Sequence, residues 1–527
     1  MRLLHTRLWY LAVAGMLMLG SCAKEETESF DRFENQALEA WMHQHRPELI
    51  NNYQSDGGYY VDVLEAGDMN SAPISDTVCW VSFDFSGRDL SGNIILTRNA
   101  AEAHQVGSFT KYTHYVPYYR YCGESMTLSS GQIEGTYLAM RNTLHLDPDY
   151  AAARGLDTEI KLREGSKVVL YMPSRVVGSG GISGEGGYEG QNDDNQTFTL
   201  DAQRPFIVTM TICDTVKNPL EKEGHQVDTY CADSNGGLKI YDNDEETADA
   251  KPLPKDPADA DHPYNVAEEW VSANDSIPQV YINYRFNPAS KGLKFPEPYR
   301  SGFLPYAGDG SMEALEAQIN EALVKRFHPD EDSPYPGIKE LKADSVKLDG
   351  TAKIWYIGRF LDGFIFDTNI DEVKQIIYGE VVSSGSAFEY TPKEGGAITA
   401  WYYTVPHLQY GQWAAIIATS TNCYGSTGRS GGTTTGNSGY SSSYLDYLNL
   451  MSYYNSYYGS NGYYGGYYGG YYGSYYGGYY NPYYAYGYGW GYGSSSSDSE
   501  SVTTISTEIP PFSPLIFEIY VEPEEEE

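Results

Sequence analysis

Apolar residues recur at helical spacing over 34–49, where Leu38, Trp41 and Met42 share a face, and a helix is predicted there. From 59 to about 217 the spacing falls to two. Short apolar runs at 59–63, 78–85, 167–172 and 206–212 predict strands. A strand-like run at 279–286 follows, then an amphipathic helix at 312–326 with Leu315, Ile319 and Leu323 on one side. Further strands are predicted at 352–357, 413–419 and 515–521. Two regions carry no period. Residues 233–262 are rich in Asp, Glu, Pro and Lys and read as a linker. Residues 430–502 repeat Gly-Tyr-Tyr-Gly and hold 22 of the 51 tyrosines, and ordering so many glycines is entropically costly, so no stable fold is expected there.

This pattern divides the chain into a signal segment (1–21), a tether (22–33) and a first domain (34–220). An acidic linker (221–264), a mixed extension (265–334), a second domain (335–522) and an acidic tail (523–527) follow. With 527 residues, 41% of them hydrophobic, the chain can bury two or three cores. A net charge of −36 repels phosphate backbones, so no nucleic-acid partner is expected. Cys79, Cys122, Cys213, Cys231 and Cys423 show no C-x-x-C spacing, which argues against zinc or dithiol redox chemistry. Cys213 and Cys231 are the closest pair in sequence, and the connectivity of any disulfides stays open.

The amino terminus adds an address. Arg2 and Arg7 precede an apolar stretch, 8–19, too short to span a bilayer. It ends in Leu19-Gly20-Ser21-Cys22, which resembles a lipobox, the site at which bacterial lipoproteins are cut and acylated. Residues 23–28, Ala-Lys-Glu-Glu-Thr-Glu, resemble the acidic export tag of surface lipoproteins of Bacteroidota. The expected location is the cell envelope, with Cys22 anchored in the outer membrane and the domains periplasmic or surface-exposed.

The second domain carries four blocks in order: Tyr356 to Asp367, Gly396 to Trp401, Tyr410 to Gly428, and Ile509 to Ile519. Together they resemble the FKBP-type peptidyl-prolyl cis-trans isomerases. The resemblance implies an α+β fold, with two FKBP-like domains, each a curved antiparallel sheet wrapped around a short helix, and a disordered Gly/Tyr-rich insertion in the second. It also implies that Tyr356, Phe366, Phe388, Ile398, Trp401, Ile509 and Phe517 line a proline pocket. Tyr424 would donate its hydroxyl to the substrate carbonyl, and Asp367 would supply a polar wall. Prolyl isomerisation breaks no covalent bond, so no metal or organic cofactor is required, and the expected partners are proline-containing polypeptides. Pro406 falls inside the expected helix and shortens it.

The first domain resembles the same family more faintly. Ile95 and Leu96 stand where Phe-Asp would, Thr136 replaces the tryptophan and Val177 the tyrosine, so this domain is expected to keep the fold and lack activity. The alternative is a non-catalytic envelope binding or adhesion lipoprotein built on these folds. The tyrosine-rich insertion then offers sticky rings to extended chains or sugars. No H-E-x-x-H motif and no cluster of metal ligands stands out, so a hydrolase has little support. Replacing Cys22 with Ala is expected to abolish incorporation of radiolabelled palmitate and release the chain from the membrane fraction.

Overall fold

In the computed structural model, residues 30–123, 133–174, 188–191, 197–200, 204–233, 238–239, 270–272, 279–283, 286–289, 292–293, 295, 312–327, 345–429, 431–437 and 501–523 are described. The lipobox, the export tag and Val177 lie outside them, as do 240–264 and most of the tyrosine-rich insertion.

The first unit opens on helix α1 (Phe30–His45), which buries Leu38 and Met42. Its seven-stranded sheet comprises β1 (Tyr53–Gln54), β2 (Tyr59–Ala66), β3 (Trp80–Asp89), β4 (Ile94–Thr97), β5 (Tyr118–Tyr121), β6 (Ser166–Met172) and β7 (Phe206–Val216). The order is β1-β2-β6-β7-β3-β4, with β5 also on β3. Strand β7 shows the predicted period of two, burying Phe206, Val208, Met210 and Ile212. Three short helices, α2 (Ala100–Val106), α3 (Glu134–Arg141) and α4 (Pro148–Arg154), belong to this unit. The concave face packs on α3, where Tyr137 meets Phe83 edge-on with ring centroids 6.0 Å apart.

The second unit repeats the plan. Its eight-stranded sheet comprises β8 (Leu238–Lys239), β9 (Trp270–Ser272), β10 (Val280–Asn283), β11 (Ala352–Phe360), β12 (Ile365–Thr368), β13 (Phe388–Tyr390), β14 (Trp413–Ala418) and β15 (Leu515–Val521). The order β10-β14-β15-β11-β12, with β13 on β11, matches β2-β6-β7-β3-β4 with β5 on β3. The two copies share even a register shift, between Gly87 and Arg88 in β3 and between Gly358 and Arg359 in β11. The chain is thus α+β, with two antiparallel sheets of one topology. The parallel pairing of β8 with β9 lies at an edge of the second sheet.

Strands β14 and β15 are buried along their whole length, unlike the alternating β7. The cause lies on the convex face. Trp355, Tyr520 and Trp413 sit side by side across β11, β15 and β14. Phe327, the last residue of helix α6 (Met312–Phe327), covers them at 6.0, 4.6 and 5.4 Å. Helix α5 (Pro219–Asp233) adds Val227, Tyr230 and Cys231 to the same core. Two boundaries change accordingly. The stretch read as a linker from 221 is helical through Asp233, because its apolar residues have a core to enter. The extension supplies β9, β10 and α6 to the second unit.

Helix α6 is also tied to the sheet by charge. Arg359, 1% exposed, lies 2.7 Å from Glu518, and its two terminal nitrogens bond Glu316 of α6 at 2.7 and 3.0 Å. Arg359 and Glu518 are buried and Glu316 is half-buried, and the guanidinium serves both carboxylates. Arg359→Ala should therefore destabilise the second unit by ~3–5 kcal/mol, read from its urea midpoint.

Candidate functional site

The site grows from β11. At Gly358 this strand faces Phe517 of β15 on one side and Asp367 of β12 on the other. The Phe366 ring lies against Gly358 so closely that a Cβ there would come within 2.6 Å of it, and only glycine admits this approach. Phe366 and Phe517 meet at a right angle, 5.8 Å apart.

Helix α7 (Asp371–Tyr378) follows β12, and helix α8 (Thr399–Thr404) brings Trp401 beneath the rings. Pro406 lacks an amide proton, and the helix gives way after Thr404 to a single 3-10 turn, Val405–His407. The indole is met edge-on by Tyr356 at 5.4 Å, Phe388 at 5.6 Å, Phe517 at 5.7 Å and Tyr390 at 6.0 Å. These distances are those at which rings gain quadrupolar attraction beyond burial. Phe366, Trp401 and Phe517 are 3–4% exposed. The Trp401 Nε1 is buried without a hydrogen-bond partner among the described residues. Ile398, at the start of α8, and Ile509 belong to the same buried cluster.

The polar groups gather at one rim. Asp367 accepts from the Tyr356 hydroxyl at 3.1 Å. The Arg429 Nη1 lies 3.9 Å from the same carboxylate, and its guanidinium stands 5.9 Å from the Phe366 ring centre and 5.3 Å from that of Tyr424. Gly425 and Gly428 take positive φ, which turns the loop back so that Tyr424 reaches this rim. A Cβ on Gly428 would fall 2.0 Å from the Ile509 carbonyl. Arg429 and Ile509 exchange backbone hydrogen bonds at 2.8 Å in both directions. Immediately beyond, Gly432–Asn437 pairs antiparallel with Ser501–Ser506, so the ends of the insertion are a ladder anchored at this rim. That is a correction to the unordered segment expected over 430–502: its Thr- and Val-bearing ends are strand formers.

Of the residues picked out by sequence, Tyr356, Phe366, Asp367, Phe388, Ile398, Trp401, Tyr424, Ile509 and Phe517 are all brought to this one place. Sequence reasoning missed Arg429 and Tyr378. Tyr378, at the end of α7, has its phenol pushed far above the usual range, first by desolvation and then by Asp367 and Tyr112. Arg429 follows Tyr424-Gly425-Ser426-Thr427-Gly428 directly, and that adjacency was the available signal.

In the first unit the equivalent place is filled differently. Gly87 of β3 pairs with Leu96 where Gly358 pairs with Asp367. Thr136 is the third residue of α3, as Trp401 is of α8, and it bonds its own Ile133 carbonyl at 2.6 Å. Neither an acid nor an indole stands there.

No family model matches this chain, and no curated protein matches it. Among solved structures it is similar to the three FKBP domains of wheat FKBP73, at 11% identity over 89% of this chain and 95% of that one, with a TM-score of 0.19. It is similar to FkpA from Escherichia coli at 15% identity, over 41% of this chain and 70% of that one, TM-score 0.20. A peptidyl-prolyl cis-trans isomerase from Pseudomonas syringae matches at 15%, over 35% and 94%, TM-score 0.19. Scores this low carry no argument about function. The site itself must.

The loop bearing Tyr424 is held from behind by a titrating group. Glu223 of α5, 2% exposed, accepts from the Ser420 amide at 3.0 Å and its hydroxyl at 2.8 Å. Desolvation outweighs these bonds and raises its pKa to about 7. The folded state therefore binds a proton that the unfolded state releases near pH 4.5, and stability is lost as pH rises from about 5 to 8. Glu223→Gln should flatten that decline, worth about 3 kcal/mol, in unfolding midpoints measured across the range.

Proposed function

We propose that the chain is a peptidyl-prolyl cis-trans isomerase of the FKBP type, with its activity in the second unit. One observation carries this: Tyr356, Phe388, Phe517 and, through Phe517, Phe366 converge on Trp401, with Asp367, Tyr424 and Arg429 confined to one rim. The prolyl bond is held planar by amide resonance, with a barrier of ~18–20 kcal/mol. Twisting it removes that resonance and leaves a less polar amide, which a dry aromatic setting favours over the hydrated planar form. The prolyl ring packs against Phe366, Phe517 and Trp401 after the Arg429 guanidinium swings away from Phe366. The Tyr424 hydroxyl donates to the carbonyl preceding proline. Asp367, oriented by Tyr356, faces that carbonyl carbon. The Leu96 and Thr136 of the first unit offer neither contact, so that unit is not catalytic.

The clients are proline-containing exported polypeptides, and the enzyme works from the cell envelope, held to the outer membrane through lipidated Cys22. Uncatalysed isomerisation takes tens to hundreds of seconds, slow enough to limit folding of such clients. The near-complete burial of the aromatic cluster favours a second reading, a non-catalytic binding protein.

Isomerisation of a proline tetrapeptide by the full chain separates the two. The wild type should accelerate it well above background. Phe366→Ala should lower kcat/KM by about 10- to 100-fold through lost packing, and Tyr424→Phe by about fivefold through one lost neutral hydrogen bond. A wild-type rate equal to the uncatalysed one supports the binding protein.

A further inference from the structure

The wall of the site that carries Ile509 is not held by the second unit alone. Ile509 is buried in the core of the second unit, and its neighbour Glu508 turns into the first unit. There the carboxylate lies 2.6 Å from Arg120 and 3.1 Å from Arg98. The side chains are 5%, 13% and 3% exposed, so all three charges are withdrawn from water. The two guanidiniums outweigh desolvation and hold the Glu508 carboxyl down to about 2.

Arg98 is itself fixed. It donates to the Val116 carbonyl at 2.8 Å and to that of His114 at 3.3 Å, and it lies 4.0 Å over the Tyr118 ring. The segment it organises grips the second unit at three further places. Thr507 donates its hydroxyl to the Tyr112 carbonyl at 2.7 Å. The Tyr112 ring stacks on Tyr378 at 4.0 Å, and Tyr378 feels the Asp367 charge. His114 stacks on Phe360 at 4.5 Å, lies tilted against Phe364 at 4.4 Å and bonds Asp362 at 2.7 Å. These contacts touch the β11–β12 turn, the end of α7 and the 507–509 segment, three of the elements that frame the site.

We infer that Arg98 and Arg120 of the first unit are positioning residues for the prolyl site of the second. They hold Glu508, and through it the Ile509–Arg429 backbone pair, in the geometry that the aromatic rim requires. The unit whose equivalent place holds Leu96 and Thr136 thereby forms the back of its neighbour's wall. This rests on the isomerase reading of that site. The physical reason is charge. A buried carboxylate that loses one of its two guanidiniums is under-compensated, which favours movement of its segment toward water. A displacement of about 1 Å in a positioning element can cost on the order of 100-fold in rate.

The test uses the full chain and two readouts. Arg120→Ala should lower kcat/KM for a proline tetrapeptide by tenfold or more, and Arg120→Lys, which keeps the charge, should recover most of it. Val168→Ala, a core substitution in β6 remote from Glu508, serves as a control for lost stability and should leave kcat/KM within twofold. Independently of activity, amide hydrogen exchange at Arg429 and Ile509 should quicken by tenfold or more in Arg120→Ala, with Ile516 and Ile519 of β15 unchanged. Unchanged exchange at Arg429 and Ile509 overturns the inference whether or not the chain is an isomerase. Full activity in Arg120→Ala beside an active wild type overturns it too. A wild type without activity but with the quickened exchange removes the isomerase reading and leaves the structural coupling standing.

Discussion

One indole organises the second unit. Trp401 reaches its place because α8 is a turn and a half long and ends before Pro406, and four rings from three strands then close on it edge-first. Each such pair is worth about 0.5–1.5 kcal/mol beyond the burial of its surface. Edge-on packing also fixes ring orientation, so the cluster has one arrangement instead of many. The Gly358 backbone must remain bare for Phe366 to lie against it, and the β12 register follows from that approach. Depriving Trp401 of its partners would therefore unsettle the strand pairing as well as the site.

The convex side solves a different problem. A sheet that buries both faces needs a second cover, and the chain provides it from residues that precede the β11 strand by dozens of positions. Phe327 and Val227 come from α6 and α5 and fill that face, while Arg359 and Glu316 bind α6 to it. The first unit has no such need, because β3 and β7 leave alternate residues partly open to solvent. Two sheets of identical order thus differ in how they meet water, and the difference lies in the elements added between them.

Much of this was legible in the chain. The period-two runs marked β2, β6, β7, β11, β14 and β15, since half-buried or buried strands impose that pattern or a continuous apolar one. The aromatic and polar positions of the site could be named because their order along the chain survives the insertion. What was not legible was long-range. Helix α5 fell within the stretch read as linker because it runs into the Asp-, Glu- and Pro-rich segment after Asp233, and only the fold shows that Val227, Tyr230 and Cys231 face a core. Glu508 is one acid among 71, and nothing local distinguishes it from a solvated one. Its partners lie nearly 400 positions away, where pattern and propensity are silent.

The central claim is that the rings around Trp401 receive a prolyl side chain. The indole N–H of Trp401, buried without a partner among the described residues, reports on that event directly. Its nitrogen-15 resonance should shift and saturate as a proline tetrapeptide is titrated into the full chain, and should stay still with the matching alanine peptide. An indole resonance indifferent to both peptides, at concentrations that saturate any binding, would contradict the account.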